Sequence, residues 1–132
     1  TDTTDPRGVT VLADPEAGAW VDVVDDSGAV TLQRQVLSKH PETGEGSMLV
    51  RFLPGWESPN GDHFHTVYEE LFVLDGAMET DDGDAYGTGT YLFKPPLTVQ
   101  SRPKSKAGAL AYISFGGPLD FVPAARLSEF AN

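Results

Sequence analysis

The chain has 132 residues, enough for one domain around one core, and carries 20 acidic against 9 basic side chains for a net charge of −11. That balance argues against a nucleic-acid surface or docking on an anionic membrane, since both need clustered Lys and Arg. With no cysteine, disulfides, thiolate metal ligands and Cys nucleophiles are excluded.

In chain order, the first eight residues, TDTTDPRG, are polar, carry Pro6 and are expected to be loose. They show neither the charged nor the apolar region of a signal peptide, and no apolar run reaches a membrane span, so a cytoplasmic placement is expected. Runs rich in Val, Leu, Phe, Tyr and Thr predict strands at Val9–Ala13, Ala19–Val24, Val30–Leu37, Met48–Leu53, Leu71–Asp75 and Ala109–Phe115. Turn signals separate them: Asp26-Ser27-Gly28, Glu42-Thr43-Gly44, Asn60-Gly61 and Asp82-Gly83. Gly76 is expected to end the strand that begins at Leu71. One or two helical turns are predicted over Ala124–Phe130, after Pro123. With no repeat, linker or low-complexity tract, residues 1–132 read as a single all-β domain, a sandwich or barrel.

Chemistry concentrates between Gly55 and Gly76. His63 and His65 stand two apart, so on an extended strand both imidazoles face one side and can grip one ion. Glu69 follows with the same parity. Two imidazoles and a carboxylate suit Fe, Mn, Zn, Ni or Co. The competing reading is a pair of exposed loop histidines beside Asn60-Gly61-Asp62. Glu70 is a second candidate carboxylate, although alternation points it outward.

The segment His63-Phe64-His65, three residues, Glu69, six residues, Gly76 resembles the first motif of the cupin superfamily. Gly89, five residues and Pro95 resemble the start of the second motif. There Leu97 stands at a glycine position and Gln100 at the usual histidine position. From Leu37 to Phe115 the chain is similar to the cupin group containing the metal-binding domain of ChrR-type anti-sigma factors and small dioxygenases acting on diketones and hydroxyaryl ketones. The resemblance implies a cupin-type antiparallel β-barrel, a double-stranded jelly roll, with a divalent metal held by His63, His65 and Glu69. Gln100 is either a weak fourth ligand through its amide oxygen or a group that orients bound water or substrate beside a three-ligand face.

The resemblance also implies an activity: a mononuclear non-haem Fe(II) dioxygenase cleaving a C–C bond in a small enolisable or phenolic ketone. Zn, Ni, Mn or Co are alternative ions for the same centre, and the alternative activity is a non-redox isomerase, lyase or cyclase in which the metal acts as a Lewis acid on a carbonyl substrate. A metal- or ligand-binding cupin without catalysis is the third reading, weakened because nothing before Val9 resembles the helical region of ChrR-type sensors. Candidate pocket residues are Met48, Val50, Phe52, Phe72, Phe93, Tyr112 and Phe115, each of which also fits simple core packing. Tyr68 and Tyr112 are candidate catalytic hydrogen-bond donors to an enolate or bound oxygen, against a structural role. Arg51 is expected at a surface or edge, His40 in an exposed turn, and Trp56 as a lip over the barrel mouth. The Asp81–Asp84 cluster reads as a solvated hairpin tip, with a calcium site as the weaker alternative. A small-molecule substrate is the expected partner. A homodimer is also expected, packed sheet on sheet or by exchange of the run Val9–Val24.

Overall fold

A computed structural model describes residues 13–130. Eleven strands and one short 3-10 helix are present: β1 (Val21–Val24), β2 (Val30–Lys39), β3 (Gly46–Phe52), β4 (Trp56–Glu57), β5 (His63–Phe64), β6 (Glu69–Thr80), β7 (Ala85–Gly87), β8 (Tyr91–Lys94), β9 (Pro103–Ser105), β10 (Ala109–Phe115) and β11 (Val122–Pro123), then Ala124–Glu129 as the helix. Nine strands form one curled antiparallel sheet in the order β1-β2-β3-β10-β6-β9-β4, with β7 and β8 also paired to β6; β11 and β5 form a second, two-stranded sheet. The fold is all-β, with the expected helical turn at its C-terminal end. Among the described residues no helix is long and apolar enough to cross a membrane. Most of the predicted Val9–Ala13 strand, and the first eight residues, lie outside the described residues.

The core follows the period-2 pattern of its longest strands. Val50 and Phe52 on β3, Leu71 and Val73 on β6, and Ala109, Ala111, Ile113 and Phe115 on β10 are buried together. Val73 and Ala111 are completely buried. The alternate residues Phe72, Leu74 and Tyr112, with Tyr91 and Phe93 of β8, are exposed on the outer face. Three of the candidate pocket residues, Phe72, Phe93 and Tyr112, therefore face away from the interior. Phe115 belongs to the core.

Strand β6 does not end at Gly76 but runs on to Thr80. Its register against β10 slips by one residue: Val73 pairs with Ala111 and Asp75 with Leu110, leaving Leu74 as the extra residue of a bulge. The bulge reverses the inward parity, so Glu69, Leu71 and Val73 face in before it and Met78 faces in after it. Gly76 makes this passage possible. Its φ is +85°, and a Cβ there would lie 2.2 Å from the Gly108 carbonyl oxygen. The bend lets β6 pair with β8 along its first half and with β7 and β9 along its second.

Arg51 and the Asp81–Asp84 tip are exposed, as the sequence predicts, whereas His40 is half-buried in its turn. Arg51 lies at the surface with its guanidinium over the Trp20 ring and a hydrogen bond to the Gln33 amide oxygen. His40 Nδ1 accepts hydrogen bonds from the Glu42 and Thr43 backbone N–H groups within its turn. Asp81 is engaged by Arg102 and Lys104 at the hairpin tip.

Candidate metal and substrate pocket

His63 is in β5, where its backbone pairs with both Pro123 of β11 and Gln100. His65 follows one residue after Phe64. Alternation sends the two imidazoles to one side and Phe64 to the other, where it is fully buried against the Phe130 ring. His63 and His65 are buried, at 2% and 4% exposure, so neither is an exposed loop histidine. Glu69 begins β6 and is 7% exposed. Glu70 turns outward and receives the Tyr91 hydroxyl.

The four motif residues line one cavity of about 640 Å³. The two imidazole rings are 5.1 Å apart between centroids, and His65 Nε2 is 3.7 Å from Glu69 Oε2. The Gln100 amide nitrogen approaches Glu69 Oε1 at 3.5 Å. Met48, Val50, Phe52, Leu71, Met78, Ile113 and Leu119 supply apolar walls, and Trp56 also lines the cavity, packed on Phe52. Exposed Asp25, Asp26, Glu57 and Phe121 mark the mouth. Tyr68 and Tyr112 lie outside the lining. Tyr68 stacks on Phe93, and Tyr112 sits between Leu49 and Phe72 on the outer face of the sheet.

The hydrogen-bond partners fix how the imidazoles present themselves. His63 Nδ1 bonds the Gly61 carbonyl at 2.8 Å, and His65 Nδ1 bonds the Asp120 carbonyl. A carbonyl only accepts, so both Nδ1 atoms carry the proton in the neutral ring. Each Nε2 then keeps its lone pair. Burial holds the His63 pKa below the usual imidazole value, outweighing its bond to Gly61 and adding to the repulsion from His65. Asp120 is tied by the Thr66 N–H and hydroxyl. Burial tends to raise its carboxyl pKa, but the Thr66 bonds win and the value falls.

Two neutral imidazoles with free Nε2 lone pairs, anchored from behind by backbone carbonyls, and one carboxylate oxygen beside them form a donor set suited to a divalent ion. Among the described residues, no three His, Asp or Glu side chains already converge on one point as a finished ion cage.

Sequence reasoning missed four side chains here. Lys94, at the end of β8, lies opposite Glu69 in the cross-strand pairing. Its ammonium is 3.3 Å from Glu69 Oε1 and donates to Gln100 Oε1 at 2.9 Å. Its signal was legible: Leu92 and Lys94 share a face, and Leu92 packs inward. Tyr86 is the tyrosine lining the pocket; burial, then the negative charge of Glu69, pushes its phenol up to about 12. Phe121 packs on both imidazole rings, tilted against His63 at 5.4 Å and edge-on to His65 at 5.0 Å. Asp120 anchors His65. Phe121 and Asp120 lie in a loop after β10 with no local pattern to mark them.

A curled antiparallel sheet around an apolar pocket, with a glutamate of β6 and the HxH pair that starts in β5 facing into it, is the architecture of a cupin. The sequence matches the family described as the ChrR Cupin-like domain over residues 9–119, and the chain belongs to that family. No curated protein matches the sequence. Among solved structures, a protein provisionally assigned as an acetylacetone dioxygenase, from Methylibium petroleiphilum, aligns at a TM-score of 0.73 and 18% identity, covering 93% of this chain and 96% of that one. An acetylacetone dioxygenase from Acinetobacter johnsonii aligns at 0.67 and 19%, covering 92% and 82%. The Rhodobacter sphaeroides complex of SigE with the anti-sigma ChrR aligns at 0.58 and 18%, covering 76% of this chain and 51% of that one. The chain spans about a third, 34%, of a protein provisionally assigned as a dioxygenase from Nostoc punctiforme. At these identities the likeness establishes the fold.

Proposed function

We propose that this chain is a metal-dependent enzyme, a mononuclear non-haem Fe(II) dioxygenase that cleaves a C–C bond in a small enolisable or phenolic ketone. The observation that carries the reading is the pair of carbonyl-anchored imidazoles, His63 and His65, whose free Nε2 atoms share a buried pocket with Glu69. In this reading those three residues hold the ion. Bound there, iron supplies Lewis acidity toward a chelating substrate and redox reactivity toward oxygen. The remaining steps belong to the chain. The apolar wall of Met48, Val50, Phe52 and Ile113 excludes water and packs the substrate body. Gln100 is assigned a place beside the three-ligand face, where its amide oxygen accepts from Lys94 and its nitrogen approaches Glu69, leaving it to orient bound water or substrate. Tyr86, which lines the pocket where Tyr68 and Tyr112 do not, takes the role of hydrogen-bond donor, its hydroxyl protonated through neutral pH.

The test is oxygen consumption by the Fe(II)-loaded protein with a panel of β-diketones and hydroxyacetophenones, alongside metal analysis of the same sample. Uptake that disappears in H63A supports the dioxygenase. Retained metal with no uptake on any substrate moves the assignment to a non-redox isomerase, lyase or cyclase, a reading favoured by Gln100 standing where the family pattern has histidine. Zn, Ni, Mn or Co would serve that chemistry equally. A non-catalytic, sensor-like role is supported by the fold shared with ChrR.

We also propose a homodimer. The exposed row of Phe72, Leu74, Tyr91, Phe93 and Tyr112 on the outer sheet face supports it. Light scattering should give twice the chain mass of 14.2 kDa, and F93E should return it to one.

A further inference from the structure

The cavity contains a positive charge that the proposed chemistry leaves without a task. Lys94 projects from β8 into the pocket with 19% of its side chain exposed. Its ammonium has three N–H donors. One meets Glu69 Oε1 and one meets Gln100 Oε1. No third protein partner appears among the described residues.

The orientation of the Gln100 amide is dictated by chemistry. Turning it over would set an NH₂ group against the ammonium and an oxygen against the Glu69 carboxylate. Its oxygen is therefore committed to Lys94 and its nitrogen to Glu69. The histidine position of the second motif thus holds a neutral amide that bridges Lys94 and Glu69.

Charge counting then selects the ligand. Lys94 and Glu69 cancel, and the two imidazoles are neutral. A divalent ion on His63, His65 and Glu69 would leave the pocket with a surplus of two positive charges inside an apolar wall. Such a surplus is costly until an anion enters. The acids at the mouth do not supply it. Asp25, for example, is exposed and spends its carboxylate on Ser27 and Ala29 within its own turn.

We propose that Lys94 is an anion-positioning residue: the pocket's ligand carries a carboxylate or enolate oxygen on a small apolar body, and the free N–H of Lys94 holds that oxygen beside the His63–His65–Glu69 face. This rests on the metal-centre reading above and narrows its substrate class to anions.

The test uses the full chain loaded with Zn(II), which is redox-silent, and two probes of matched shape, benzoate and benzamide. Calorimetry gives their affinities, and elemental analysis gives zinc content in the same samples. The wild type should bind benzoate at least about tenfold more tightly than benzamide. K94M leaves one surplus positive charge on the zinc–Glu69 centre, so it should cut the benzoate preference at least about threefold while zinc content is retained, and K94R should keep more of that preference. Benzoate binding no tighter than benzamide in the zinc-loaded wild type, including no measurable binding of either, overturns the inference and needs no variant to fold. A preference undiminished in K94M overturns it as well. Zinc bound with no preference removes the role of Lys94 alone. Failure of the wild type to take up zinc removes the metal centre and the inference together.

Discussion

The Lys94–Glu69 pair should be energetically coupled in the metal-free protein, and a double-mutant cycle measures how strongly. The charges lie 3.3 Å apart, with side chains 19% and 9% exposed. At an effective dielectric of about 20 their attraction is roughly 5 kcal/mol. Desolvating both partners offsets much of this, leaving a coupling of about 2 kcal/mol. The two single variants should differ. K94M strands a carboxylate that keeps only the long Gln100 contact, and should cost about 3 kcal/mol. E69Q leaves Lys94 its bond to Gln100 and a partly exposed stem, and should cost about 1–2 kcal/mol. The K94M/E69Q double variant should then lose about 2 kcal/mol less than the sum of the singles. Urea unfolding in the presence of a chelator reads all four proteins. Additivity within about 0.5 kcal/mol would refute the reasoning, because it would mean that the two charges do not sense each other across β6 and β8.

Three further outcomes follow from the backbone and the pocket. G76A should destabilise by about 3 kcal/mol or more, because φ of +85° is unfavourable for alanine and the new Cβ collides with the Gly108 carbonyl; a urea midpoint close to wild type would contradict the bulge geometry. Leu97 has a φ of +67°, so L97G should be about 1 kcal/mol more stable than L97A, which loses the same side chain but keeps the strain; equal midpoints would argue against a left-handed backbone there. Tyr86 has a folded-state pKa of about 12, above its unfolded value near 10, so its protonated form is favoured by the native state. Its stability contribution is complete below pH 10 and is lost as pH rises toward 12. In Y86F that component of the alkaline loss should vanish, together with the tyrosinate absorbance change near pH 12; an unchanged alkaline titration would contradict its burial.

Much of this was legible in the sequence, and the gaps have specific causes. The HxH spacing and strand parity were sufficient to send His63 and His65 one way and Phe64 the other, and parity separated Glu69 from Glu70. The runs Leu71–Leu74 and Ala109–Phe115 are apolar on both faces, so alternation alone could not say whether Phe72 or Tyr112 pointed inward. Gly76 reads as a stop because glycine weakens strands. Here its positive φ carries β6 through a bulge that only the pairing with β10 reveals. Tyr86 reaches the pocket because β6 continues past that bulge and pairs Met78 with it. Lys94 required the inference that a charged residue at a strand end points inward, against the usual tendency of lysine. Its cross-strand neighbour Glu69, 25 residues earlier, is what makes that position tolerable.

The most direct measurement is a long-range ¹⁵N spectrum of the imidazole side chains during titration with one equivalent of Zn(II). Both His63 and His65 should move at Nε2 while their Nδ1 atoms stay protonated and bonded to Gly61 and Asp120, and His40 should stay put. Zinc that perturbs His40 alone, or leaves all three rings unchanged, would show that these buried imidazoles do not share an ion.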